Sequence, residues 1–195
     1  MALRQRARRV PVREVLGTAL ELERKVMELY VALLRAFPRP EEVRNFWFGM
    51  ARHEAGHCGA LLLVEAIAKS DPERGAGAKV WFDEAVVRRL RALLTAYAHE
   101  IREGVTVERA LEMAVDLEAS ELEDLVVDLL SVVRSARWRD RAIQMMIHDM
   151  GDLSYMVERY TKNDDLLARA DALIEQRRGG LRRKRGHAVR STRAS

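Results

Sequence analysis

Residues 52–62 read RHEAGHCGALL and place histidine, glutamate and histidine at positions 53, 54 and 57. Two chemistries use this arrangement. In a zinc peptidase, His53 and His57 both hold the metal and Glu54 activates a water molecule. In a carboxylate metal centre, only Glu54 and His57 act, three residues apart on one helix face, and His53 turns toward solvent or the bundle edge. Further acidic residues stand at Glu23, at Glu118 and Glu121 within LEASE, and at Asp149 and Asp152 within DMGD. Carboxylates combined with imidazole suit iron and manganese, with zinc also accommodated. Oxygen bridges allow such a set to hold one ion or two.

The elements that must position these residues are helices. Prolines occur only at 11, 38, 40 and 72, which leaves long uninterrupted stretches. The pattern predicts helices over about 12–36 and 40–69, separated by FPRP, and over about 107–134 and from the Ser135-Ala136 break to about 160. A shorter amphipathic segment over about 83–103 places Val86, Leu90, Leu93, Tyr97 and Ile101 on one side. Thr106 is positioned to cap the third long helix, and Asn163 or Asp164 a last helix ending near 176. No strand pattern competes. Tight breaks join the first two long helices and the last two, and more than thirty residues with their own helix join the second to the third. Two antiparallel hairpins with one long helical crossover is the ferritin-like form of the four-helix bundle. The reading is therefore all-α: a basic N-terminal arm over 1–13, a bundle over 14–160, a C-terminal helix over 161–176, and a disordered basic tail over 177–195.

Alternating steps of four and three trace the core face of each helix. The first gives Leu16, Leu20, Glu23, Met27, Tyr30 and Leu34. The second gives Trp47, Met50, Glu54, His57, Leu61 and Val64. The third gives Leu111, Ala114, Glu118, Glu121 and Leu125, and the fourth Met145, Asp149, Asp152 and Met156. Each apolar face is interrupted by acids or a histidine. Glu23 and Glu54 lie symmetrically about the first hairpin turn, and Glu118 and Asp152 about the second. At about 1.5 Å per residue all four lie roughly 23–26 Å from their turns, so the interruptions share a layer. Buried carboxylates at close range repel and lose hydration. A bound cation relieves both costs; shared protons or an arginine reaching in from outside the core are the other remedies.

This set of residues resembles the rubrerythrin-like branch of the ferritin-like di-iron carboxylate proteins. The likeness rests on Glu23 with Tyr30 seven residues on, on Glu54-Ala-Gly-His57, on Glu118-x-x-Glu121, and on Asp149-Met-Gly-Asp152 in the place of a second Glu-x-x-His. It covers about residues 14–160. It implies an iron site, of one or two ions, held by Glu23, Glu54, His57 and Glu118, with Glu121 supplementary and Tyr30 placing its phenol near the cluster. Asp149 and Asp152 are the fourth-helix candidates, but they depart from the family pattern in length and in lacking the histidine. His148 beside them could substitute only if that helix rotates. The implied activity is oxidation of Fe(II) by oxygen or peroxide. The four-cysteine rubredoxin domain of full rubrerythrins is missing, so electrons would come from an unknown donor.

The single cysteine, Cys58, excludes an internal disulfide framework and a four-cysteine metal site; it reads as a small buried residue. No apolar run approaches a membrane span and no signal-peptide h-region follows the basic start, so the expectation is a cytoplasmic protein. Charge is unevenly placed. Five arginines in 1–13 and seven arginines and one lysine in 177–195, with no acid in either stretch, account for +13. The formal total of +4 thus leaves −9 on the body. Such tails attract polyanions without sequence preference. Pairing of two chains into a homodimer is a common arrangement for such bundles. Three alternatives stand beside the iron reading: a zinc peptidase, a metal-free helical interaction protein with polyanion-binding tails, and, for the tyrosine and the fourth-helix methionines, simple core packing.

Overall fold

The computed structural model describes residues 7–70, 79–130 and 151–176. Strand β1 (Arg8–Pro11) leads directly into helix α1 (Val12–Ala36), and α2 (Glu41–Ser70) follows. Strand β2 (Lys79–Phe82), α3 (Glu84–Glu103), α4 (Val107–Glu118) and α5 (Glu121–Leu130) come next. Two further helices, α6 over 151–160 and α7 over 164–176, complete the described chain. The protein is mostly helical with one small two-stranded sheet.

Proline and local hydrogen bonding set the helix ends. Pro11, extended at ψ 135°, precedes the first residue of α1, and Glu14 and Arg35 sit where the helix dipole favours an acid and a base. Phe37 ends α1 because the residue before a proline is pushed out of the helical region. Asp83 caps α3 by accepting from the Ala85 amide at 2.8 Å. Gly104 ends it at φ 104°, a left-handed conformation that favours glycine. Thr106 Oγ1 caps α4, accepting from the Arg109 amide at 3.2 Å. Asn163 Oδ1 does the same for α7 through the Leu166 amide at 3.0 Å.

Three features differ from the sequence expectation. First, the basic arm is not wholly an arm: Arg8–Pro11 pairs antiparallel with Lys79–Phe82, Val10 opposite Val80. Both valines are buried with Val12, Val15, Leu16, Leu61 and Val64, while Arg8, Arg9, Lys79 and Trp81 face outward. Second, the third long helix is interrupted. The Ser120 amide bonds back three residues to the Leu117 carbonyl at 3.0 Å, which tightens and closes α4, and α5 restarts at Glu121. Third, α6 presents Leu153, Met156 and Val157 to the core, leaving Asp152 exposed.

Helix α1 packs along α2, and also against α3 and α5; α5 contacts α2 and β2. Polar contacts fix which ends meet. Glu42 at the start of α2 accepts from Tyr155 at 3.1 Å, Arg159 at 2.8 Å and Tyr160 at 2.6 Å near the end of α6. Asn163 reaches Glu108 at the start of α4, 3.2 Å away. The end of α1, the starts of α2 and α4, and the end of α6 therefore share one pole of the molecule. Along α3, Arg91 holds Glu21 of α1 at 2.5 and 3.2 Å. Among the described residues, no helix is long and apolar enough to cross a membrane.

Two apolar clusters form the core. The larger gathers Leu22, Val26, Tyr30, Trp47, Met50 and Ala51 with the inner faces of α3, α4, α6 and α7. The smaller joins the strands to the opposite ends of α1 and α2 through Ala19, Leu61 and Val64, and to α5 through Val126 and Leu129. On α1, Glu23 falls where one cluster gives way to the other. On α2, Glu54 and His57 fall between Ala51 of the first and Leu61 of the second. The polar residues occupy the seam between two dry regions.

Candidate metal centre

Five acidic or imidazole side chains are buried among the described residues: Glu23, His53, Glu54, His57 and Glu118. Each occupies a core-facing position of its helix for the same reason as its apolar neighbours. Steps of three and four from Leu16 reach Glu23, and from Trp47 and Met50 reach Glu54 and His57. Glu23 is 0% and Glu54 1% exposed.

His57 joins the two carboxylates. Its Nδ1 lies 3.1 Å from Glu23 Oε2 and 3.2 Å from Glu54 Oε2. One donor atom from each of Glu23, Glu54 and His57 falls within 4.8 Å of the others. Metal–ligand bonds of about 2.1 Å place neighbouring donors about 3.0 Å apart in octahedral and about 3.4 Å apart in tetrahedral geometry. The observed 3.1 and 3.2 Å separations fall in that interval. In addition, Glu23 Oε1 is buried and has no hydrogen-bond partner among the described residues. Two hard oxygens, one imidazole nitrogen and an unsatisfied buried carboxylate oxygen fit a divalent transition ion.

The electrostatics point the same way. Burial and the charge of Glu23 push the Glu54 carboxyl well above the ordinary range, against the hydrogen bond from His57. Burial also opposes ionisation of Glu23, but the hydrogen bond at His57, the neighbouring Glu54 and the charges of His57 and His53 hold it below its ordinary value. The two acids titrate as a coupled pair, one pushed up and the other held down. No lysine or arginine is buried among the described residues to compensate them. The arginine–carboxylate pairs, such as Arg91–Glu21, Arg109–Glu100 and Arg159–Glu42, belong to part-buried or exposed side chains.

Glu118 is buried at the last position of α4, and its Oε1 accepts from the Tyr30 hydroxyl at 3.0 Å. Tyr30 stacks on Trp47 with centroids 6.0 Å apart, so the phenol is fixed by packing. Glu118 stands outside the tight Glu23–Glu54–His57 group. The expected placements thus divide. Glu23, Glu54 and His57 come together, and Glu118 and Tyr30 are buried and joined. Asp152 is a correction: it lies on the exposed side of α6, one residue of rotation away from the buried Leu153. Glu121 begins α5, and its side chain lies outside the description; Asp149, His148, Met145, Met146 and Met150 fall outside the described residues.

His53 is a second correction. It is 6% exposed rather than solvent-facing, and its ring meets that of His57 edge to face, centroids 4.2 Å apart at 71°. A strict four-three step selects Glu54 and skips its neighbour. A bundle helix buries a stripe at least about 100° wide, which takes in both. The signal was the literal His-Glu-x-x-His itself. Cys58 is half-buried; burial first, then the charge of Glu23, raises its thiol above the ordinary range. Comparison with protein-family models, curated proteins and solved structures gave no match for this chain.

Proposed function

We propose that this protein is a ferritin-like metal-binding protein of the rubrerythrin type, with an iron site in its interior held by Glu23, Glu54 and His57 and flanked by Glu118. The observation that carries the reading is a buried pair of carboxylates bridged by an imidazole, with no buried lysine or arginine among the described residues to offset them. A divalent cation offsets both charges and fills the coordination left at Glu23 Oε1. The meeting of the end of α1, the starts of α2 and α4 and the end of α6 at one pole supports the crossover topology, because α2 and α4 then run the same way with α3 returning between them.

Iron, when bound, supplies electrons to oxygen or peroxide; manganese or zinc would fit the same donors without that role. The protein's own residues do the rest. The carboxylates of Glu23 and Glu54 would hold the ion and offset its charge. His57 offers a nitrogen on the side facing both acids. Tyr30 orients Glu118 through its hydroxyl. The apolar clusters on either side exclude bulk water, which strengthens every charge interaction in the layer. The donor of replenishing electrons is a separate molecule of unspecified kind.

A peptidase reading gains from the inward His53 but loses on Glu54. A general base must face a substrate, whereas the Glu54 carboxylate is 1% exposed and spent on His57 and Glu23. The test is anaerobic Fe(II) titration followed by exposure to oxygen or peroxide. Binding that is lost in Glu23→Gln and Glu54→Gln, with ferric absorption appearing after oxidant, supports the proposal. Absence of binding in the wild type favours a metal-free interaction protein, and peptide hydrolysis after zinc loading favours the peptidase.

A further inference from the structure

We propose that the outward face of α2, from Phe48 to Ile67, docks a second copy of this chain. The two α2 helices cross antiparallel about a two-fold axis between Gly56 and Gly59. The inference stands apart from the metal reading and does not rest on it.

Helix α2 carries two apolar stripes. Steps of three and four through Trp47, Met50, Glu54, His57, Leu61 and Val64 trace the one that faces the core. The same steps from Phe48 reach Arg52, Ala55, Gly59, Leu62 and Ala66, with Gly56, Leu63 and Ile67 alongside. Every one of these positions is exposed, and Arg52 alone carries a charge. Phe48 is 58%, Leu62 48% and Leu63 53% exposed. A helix face turned to water is ordinarily polar. The glycines add an independent observation. Glycine is among the poorest residues for a helix interior. No atom of the described chain lies within 4 Å of where a Cβ would stand at Gly56 or Gly59. Nothing among the described residues therefore calls for glycine at either place, whereas a second backbone approaching closely does.

The order of sizes along the stripe favours a copy of the same chain as occupant. Ala55, Gly56 and Gly59 occupy the middle. Phe48 stands toward one end, and Leu62, Leu63 and Ile67 toward the other. In an isologous contact residue i meets residue j and j meets i. An axis between Gly56 and Gly59 sets Phe48 against Ile67, and Leu63 against the aliphatic stem of Arg52, once on each side. The small residues let the helices cross closely, and the Arg52 guanidinium reaches past the rim into water. At about 1.5 Å per residue the stripe is about 28 Å long and about 10 Å wide, so α2 alone supplies roughly 300 Å² per copy. Tyr155, 51% exposed and bonded to Glu42 near the start of α2, adds aromatic surface at the Phe48 end. A standard stable interface takes about 800 Å² per partner. The pair therefore belongs to the weak, concentration-dependent class, with a dissociation constant in the micromolar range.

The test is sedimentation equilibrium of the full chain from low to high micromolar concentration. The wild type should pass from monomer to dimer over that range. Leu63→Glu, which sets a charge on the stripe, should raise the dissociation constant at least tenfold. Gly59→Gln places a longer side chain at the crossing while improving helix propensity. It should raise the dissociation constant as much, yet leave the unfolding midpoint of the dilute monomer no lower than that of the wild type. That pairing separates a lost contact from a lost fold, and circular dichroism of Leu63→Glu does the same. A wild type that stays monomeric at every concentration overturns the proposal and leaves the face to another segment of the chain. A dimer that both variants leave intact overturns it as well, because a different surface then joins the copies.

Discussion

Replacing Tyr30 with phenylalanine removes one oxygen from the interior and nothing else. Tyr30 is 0% exposed, and its hydroxyl donates to Glu118 Oε1 at 3.0 Å, with Glu118 itself 3% exposed. The ring remains stacked on Trp47, so no large cavity opens. The loss is that of a hydrogen bond to a buried acid, worth about 1.5–3 kcal/mol when the acceptor is charged. In a chain of this size each kcal/mol moves the unfolding midpoint by about 2–4 °C, so a loss near 2 kcal/mol corresponds to about 4–8 °C. Urea unfolding of the metal-free protein at neutral pH, with Glu118→Gln and the double variant, completes a cycle. The two single changes should each cost at least about 1 kcal/mol, and the double change should cost clearly less than their sum. A Tyr30→Phe cost below about 0.5 kcal/mol, or strict additivity, would refute the reasoning that the phenol exists to satisfy Glu118.

Three further outcomes follow from the same structure. Glu54 has a folded-state pKa raised by burial and by Glu23; its protonated form is therefore favoured on folding, and the metal-free wild type should lose stability relative to Glu54→Gln as pH rises above about 4.5 toward the folded value, by up to about 1.4 kcal/mol per pH unit. Parallel stability–pH curves for the two proteins would contradict this. Thr106→Ala, which deletes the cap on the Arg109 amide, should cost about 1 kcal/mol in urea unfolding, whereas Thr106→Ser should cost far less. Asp152→Ala, on the exposed side of α6, should leave metal affinity within twofold of wild type in a Zn(II) titration; a tenfold loss would place that carboxylate at the centre after all.

The parts of the fold that were legible in the sequence are those with strong punctuation. Proline at 11 and 38 bracketed α1, Thr106 announced α4, and Asn163 announced α7, each through a local interaction the residue makes by itself. The strands were not legible. RRVP and KVWF are four residues each, too short to show alternation, and their pairing depends on partners some seventy residues apart. The break at Ala119-Ser120 carries no glycine or proline to announce it; it is visible only in the Ser120 amide turning back to the Leu117 carbonyl. Within the site, Glu23, Glu54 and His57 could be read because each replaces an apolar residue in a long periodic face. His53 was misplaced because the buried stripe of a bundle helix is wide enough to take in adjacent positions, and Asp152 because adjacent residues differ by about 100° around a helix axis and the short run around it does not fix rotation that finely. On α6 the core face is 153, 156 and 157, one residue on from the face that would have included Asp152.

The central claim is that a cation belongs between α1 and α2 at the level of Glu23. A crystal structure of the protein loaded anaerobically with Fe(II), with anomalous diffraction collected at the iron edge, tests it most directly. The account predicts an anomalous peak within bonding distance of carboxylate oxygens of Glu23 and Glu54 and of a nitrogen of His57. A fully loaded crystal whose anomalous peaks lie only at surface acids, with the Glu23–His57–Glu54 contacts unchanged, would contradict it.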